Sequence, residues 1–155
     1  MTRIVSTLFV PRRLEDVFAF LNTPESHAAF IPNMAEFHQS SPGPFGKIGA
    51  RAWGRLSYLG LVKINVDYEI IEHVLNQRLA MNGKMGPVLF KDGYMLRESG
   101  NGTDIQFWLE LVPTGWAKLL SPLMGPIGKI HAWETLKNLK RELMKKEIVS
   151  PLHPS

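Results

Sequence analysis

The 155-residue sequence contains no cysteine. That excludes a disulfide framework, a thiolate nucleophile and a zinc–thiolate site. No apolar run approaches the roughly 20 residues needed to span a bilayer, so no transmembrane segment is expected. The opening MTRIVSTLFVPRR lacks a charged lead, a long apolar region and a small-residue cleavage site in order. It does not read as a signal peptide, and a cytoplasmic address fits. Histidines stand at 27, 38, 73, 131 and 153, with no helical pair at metal-binding spacing. A phosphate loop, a dinucleotide glycine fingerprint and a nucleophile elbow are also missing. The sequence therefore implies no metal and no cofactor, and it assigns no catalytic residue.

The composition is that of an ordinary folded chain, 45% hydrophobic and 21% charged. Its length suits one domain with a real core, expected over residues 1–148, followed by a flexible tail at 149–155. Formal net charge is +4. Much of the excess sits in Lys137, Lys140, Arg141, Lys145 and Lys146, where cations favour a helix C-terminus. No aromatic residues alternate with them, so nucleic acid is not favoured as a partner.

Thr2 to Val10 is rich in β-branched residues and reads as a strand that Pro11 stops. Leu14, Val17, Phe18 and Leu21 recur at helical spacing. Pro24 can then open a second short helix capped by Thr23 and ending at Ile31-Pro32. Strands follow over Met34–Ser40, Ala50–Tyr58, Leu61–His73, Leu79–Met85, Val88–Arg97 and Asp104–Val112. A long helical segment from Trp116 to Glu147 closes the chain. Within it, Ser121-Pro122 and Gly125-Pro126-Ile127-Gly128 predict a bend or a break. Trp133, Leu136, Leu139 and Leu143 are expected on one apolar side. The fold class is thus α+β: a curved antiparallel sheet of about seven strands, two short helices after the first, and a long C-terminal helix covering it.

That order resembles the helix-grip superfamily of star-related lipid-transfer domains, birch-pollen-allergen-like proteins and bacterial polyketide cyclase/dehydrase-like proteins. The resemblance rests on the strand ending at Pro11, Leu14 to Leu21, and Pro24-Glu25-Ser26-His27. Pro42 to Gly49, Tyr68 to His73, and Gly102-Thr103-Asp104 complete it. It implies a lipophilic cavity under the last helix and no single catalytic signature.

Alternation turns Val62, Ile64, Val66, Tyr68 and Ile70 inward, and likewise Ile105, Phe107, Leu109 and Leu111. A tight turn at Gly100-Asn101 sets Phe107 opposite Tyr94 and Leu109 opposite Asp92, which brings Asp92 inside. A four-residue turn at Val74 to Gln77 brings Met81 and Met85 inward. A two-residue turn at Leu59-Gly60 would turn Arg51, Trp53, Arg55 and Ser57 inward. A slip by one residue substitutes Ala52, Gly54, Leu56 and Tyr58. Two buried arginines without partners would be costly, which favours the second register or a place for them at the mouth.

The candidate ligand-contacting residues are Trp53, Arg55, Tyr68, Met81, Asp92, Tyr94, Phe107, Ile127 and His131. His27 is expected to be exposed near the entrance. Trp108 falls outward as an edge, packing or oligomer-contact residue, compatible with a homodimer. The leading function is binding or transport of a small lipophilic molecule. A polyketide cyclase or dehydratase using Asp92, a tyrosine or a mouth arginine is the enzymatic alternative. An interaction module working through the basic end is the third.

Overall fold

β1 (Thr2–Val10) ends where Pro11 removes the next ladder donor, and α1 (Leu14–Leu21) follows with Glu15 and Asp16 in its first turn. α2 (Pro24–Phe30) starts on Pro24. The Thr23 hydroxyl does not cap it: Oγ1 donates back to the Ala19 carbonyl at 2.9 Å instead. Five further strands, β2 (Met34–Gln39), β3 (Arg51–Tyr58), β4 (Val62–Val74), β5 (Arg78–Met85) and β6 (Val88–Ser99), lead to β7 (Gly102–Pro113). In the computed structural model, which describes residues 2–149, all seven strands form one antiparallel sheet ordered β1-β7-β6-β5-β4-β3-β2. The first strand closes beside the last, so both short helices lie in the single long connection across the sheet. This is the helix-grip α+β fold.

The closing helical segment is divided. A 3-10 helix spans Gly115–Leu120, and α3 runs Ser121–Val149 without interruption. Pro122 falls in the first turn, where a missing N–H costs nothing. Pro126 lies inside the helix. The expected tail lies outside the described residues from 150 onward.

The buried face of α3 differs from the expected stripe. Met124, Gly128, Ala132, Thr135, Leu136, Leu139 and Leu143 point into the protein. Apart from the adjacent Thr135 and Leu136, they follow mixed steps of three and four, which keep pace with 3.6 residues per turn. Ile127, Ile130 and Trp133, spaced by threes, drift to the outside and are 53%, 59% and 53% exposed. Trp133 therefore does not share the side of Leu136.

Three hairpins fix which side chains face α3. The β6–β7 turn is the two-residue Gly100-Asn101, so Tyr94 opposes Phe107 and Asp92 opposes Leu109, as the sequence implies. The β4–β5 loop holds three residues instead of four, and an irregularity between Ile70 and Glu72 adds the residue back. Met81 and Met85 consequently still pair with the inward Ile70 and Val66. The β3–β4 loop is also three residues, Leu59 to Leu61, closed by a hydrogen bond from Leu61 N to Tyr58 O at 3.0 Å. That extra residue selects the second register: Ala52, Gly54 and Leu56 are buried opposite Tyr68, Val66 and Ile64.

Candidate ligand-binding cavity

α3 packs on β1 and β7 at one side of the sheet and on α2 at its end. Asn138 Nδ2 donates to the Phe30 carbonyl at 3.1 Å and ties helix to helix. The 3-10 helix contacts β7 and α3. The inner surfaces of the central strands are left with space above them, a cavity of about 510 Å3. That is within the roughly 300–1,000 Å3 of small-molecule sites. Its walls are apolar: Leu56, Ile64 and Val66 from one half of the sheet, and Phe107, Leu109 and Leu111 from the other.

Tyr68, Asp92, Tyr94, His131 and Thr135 bring polarity to the interior of this wall, and Tyr58 and Trp116 bring it to the mouth. The Thr135 hydroxyl is engaged within α3, donating to the His131 carbonyl at 2.7 Å. Tyr68 and Tyr94 are braced by rings, with Phe37 5.1 Å from Tyr68 and Phe107 5.1 Å from Tyr94, centroid to centroid. Burial holds both phenols well above their usual 10.0, and the nearby Asp92 charge adds to the effect. They stay neutral at any physiological pH.

Asp92 is the exceptional group. It lies on β6 between the inward Phe90 and Tyr94, with Met81 and Leu109 as cross-strand neighbours. Its Oδ1 is enclosed and has no hydrogen-bond partner among the described residues. Burial without compensation pushes its carboxyl from 3.8 up to about 7. Near neutral pH it can donate a hydrogen bond as an acid or accept one as a carboxylate. Burial also lowers the His131 imidazole, partly offset by Glu134, so a neutral ring faces the cavity. His131 lies 6.4 Å from the Phe107 ring, centroid to centroid.

Of the residues singled out by sequence, Tyr68, Asp92, Tyr94, Phe107 and His131 meet on this wall, and the half-exposed Ile127 borders it. Met81 is buried beneath it, between Ile70 and Asp92, and is no part of the lining. Trp53 and Arg55 are corrected. They point to the outer surface with the alternate residues of β3, because the three-residue loop shifts the register. There the Arg55 guanidinium meets Glu36 at 2.9 Å and lies 5.7 Å from the Trp53 ring. Among the described residues, no arginine lines the cavity.

His27 is corrected too, being fully buried. Its ring stacks on Phe37 at 4.9 Å, and Nε2 donates to the Leu21 carbonyl at 2.7 Å. Desolvation lowers its pKa to about 4, despite that bond. It is a neutral structural pin where α2 meets the sheet. Trp108 faces outward as expected and covers Gly93, with the Arg3 guanidinium 5.0 Å from its ring.

Sequence reasoning passed over the mouth. Tyr58, Pro87 and Trp116 line the cavity from the β3–β4 hairpin, the β5–β6 turn and the 3-10 helix. Tyr58 was within reach, since it belongs to the alternative β3 register. Trp116 carried no signal, because a 3-10 turn breaks the helical period. A second depression of about 540 Å3 lies on the outer face of the sheet. Arg51, Asp67, Lys84 and Glu110 line it with balanced charge, which does not suit a lipophile.

No family model matches the chain, and no curated protein matches its sequence. Solved structures do. Protein TTHA0849 from Thermus thermophilus is similar at a TM-score of 0.74 and 15% identity, covering 94% of this chain and 99% of that one. A conserved protein from Geobacillus kaustophilus matches at 0.73 and 15% identity, over 93% and 96%. Ara h 8.0201, a Bet v 1 homologue, matches at 0.66 and 12% identity, over 93% and 98%. At such identities the likeness concerns architecture, and the architecture of this chain is that of a Bet v 1-like helix-grip fold.

Proposed function

We propose that the protein binds or carries a small lipophilic molecule bearing one polar group, held between the sheet and α3. The observation that supports this most is the unpartnered Asp92 oxygen on the wall of an otherwise apolar 510 Å3 cavity. A buried carboxyl without a partner is costly, and a ligand hydroxyl, amine or carbonyl would offset that cost. The apolar remainder supplies affinity without directional demands.

Titration with the fluorescent lipophile anilinonaphthalene sulfonate tests the reading. The wild type binds it saturably. Leu109→Trp, which fills the cavity, lowers affinity at least about tenfold. Val112→Trp, on the outer face of the same strand, leaves it unchanged. Equal binding by all three proteins would place the dye outside the cavity and refute the proposal.

One observation favours an enzymatic second reading, a cyclase- or dehydratase-like proton transfer. A carboxyl near 7 can exchange a proton at neutral pH, and two neutral phenols stand close enough to feel its charge. Turnover of a polyketide-like carbonyl substrate that disappears in Asp92→Asn would move the assignment there.

A further inference from the structure

The mouth of the cavity is surrounded by apolar side chains that no folding requirement explains. Leu59 and Leu61 at the β3–β4 tip are 94% and 84% exposed, and Leu119 and Trp116 on the 3-10 helix are 84% and 67% exposed. Leu59 also adopts a left-handed backbone, φ 56°, a conformation unfavourable for leucine. Asparagine or glycine would form that turn with less strain and without exposing a hydrocarbon side chain. A residue that is both strained and greasy at a solvent tip points to a partner.

Charge identifies the partner. The stretches that form the mouth, residues 56–66, 84–90 and 113–133, contain no aspartate or glutamate. They contain Lys63, Lys118 and Lys129, all exposed and none of them in an ion pair among the described residues, whereas Lys84 lies on the outer face of the sheet opposite Asp67. Apolar tips that penetrate, encircled by cations that stay in water, match an anionic bilayer surface. A second copy of the chain suits this rim poorly. A two-fold contact would press lysines against lysines, with no carboxylate in these stretches to answer them.

We propose that this rim docks onto an anionic lipid bilayer, placing the cavity mouth against the membrane surface. The proposal rests on the surface alone and is independent of what the cavity holds. No helix among the described residues is long and apolar enough to cross a membrane, so the contact is interfacial.

Vesicle flotation of the full chain tests it, using phosphatidylcholine alone and an equal mixture of phosphatidylcholine and phosphatidylglycerol. The wild type floats with the mixed vesicles and much less with the neutral ones. A Leu59→Asn, Leu61→Ser, Leu119→Ser variant keeps its melting temperature, because the three side chains are exposed. Its partitioning falls on the order of a hundredfold, as expected for losing inserted apolar area. Lys63→Gln with Lys118→Gln weakens binding to mixed vesicles only. Absence of wild-type flotation, equal flotation with both compositions, or an unaffected leucine variant would overturn the proposal. So would a concentration-dependent dimer that the leucine variant abolishes without any vesicle binding, which would give the rim to a second copy.

Discussion

Arg55 stands directly opposite Asn65 in the β3–β4 ladder and donates from Nε to its Oδ1 at 3.3 Å, on the outer surface of the sheet. This pairing decides the character of the cavity. Had the loop between the strands been one residue shorter, Arg55 would project inward beside Ile64 and Arg51 beside Tyr68, and the interior would be suited to anions.

Arg55→Ala therefore leaves the affinity for a lipophilic ligand unchanged. It removes an exposed ion pair with Glu36, so stability falls by no more than about 1 kcal/mol. Ligand titration and urea denaturation of the variant check both statements. A tenfold loss of affinity would contradict the register.

Two buried groups shape the response to pH with opposite signs. Asp92 titrates near 7 when folded and near 3.8 when unfolded. Across that interval the native state holds a proton that the unfolded chain has released, so rising pH destabilises the fold, by about 4 kcal/mol once titration is complete. His27 titrates near 4 when folded and near 6.5 when unfolded. There the unfolded chain holds the extra proton, so rising pH stabilises the fold, by about 3 kcal/mol over that interval. His131, also lowered, acts in the direction of His27.

The two effects oppose each other between about pH 4 and 6.5. Asp92→Asn removes one of them. Its stability should rise through that window while the wild type stays nearly level, and it should exceed the wild type above pH 7. Denaturant midpoints across the window provide the comparison, and a level profile for Asp92→Asn would contradict the assignment.

Gly128 lies on α3 directly against the Ile4 side chain of β1. A Cβ there would lie 2.1 Å from Ile4 Cδ1 and 3.5 Å from Leu111 Cδ1. Alanine improves helix propensity by about 1 kcal/mol but must displace a buried isoleucine, so Gly128→Ala should destabilise by about 1–3 kcal/mol net. Pairing it with Ile4→Val, which clears the clashing methyl, should recover part of that loss. Thermal melts of the single and double variants decide it, and absence of recovery would show that the contact is not limiting.

His27→Phe keeps an aromatic ring against Phe37 and removes the donor to the Leu21 carbonyl. A loss of about 1–3 kcal/mol is expected, the cost of an unsatisfied buried acceptor. Urea denaturation measures it, and an unchanged midpoint would mean that the bond contributes nothing.

The strands were legible in the sequence because their alternation is regular and their breakers are strong. Gly100-Asn101 fixed the β6–β7 register, and with it the inward position of Asp92. The β4–β5 pairing came out correctly although the loop is one residue shorter than expected, because the irregularity at Ile70–Glu72 restores parity. The β3–β4 register stayed open, since a leucine in a left-handed conformation gives no turn signal. His27 was misplaced because a polar residue on a short helix reads as exposed. Its burial comes from Phe30, Phe37 and Phe45, which the fold gathers from three separate segments. The exposed rim was legible only as composition, because a free apolar tip and a buried one look alike in a string of residues.

Native mass spectrometry of freshly purified protein, repeated after denaturation, tests the central claim most directly. A bound lipophilic small molecule, lost on unfolding and absent from Leu109→Trp, is the predicted result. A wild type that carries nothing and gains no thermal stability from any lipophile offered would contradict the account.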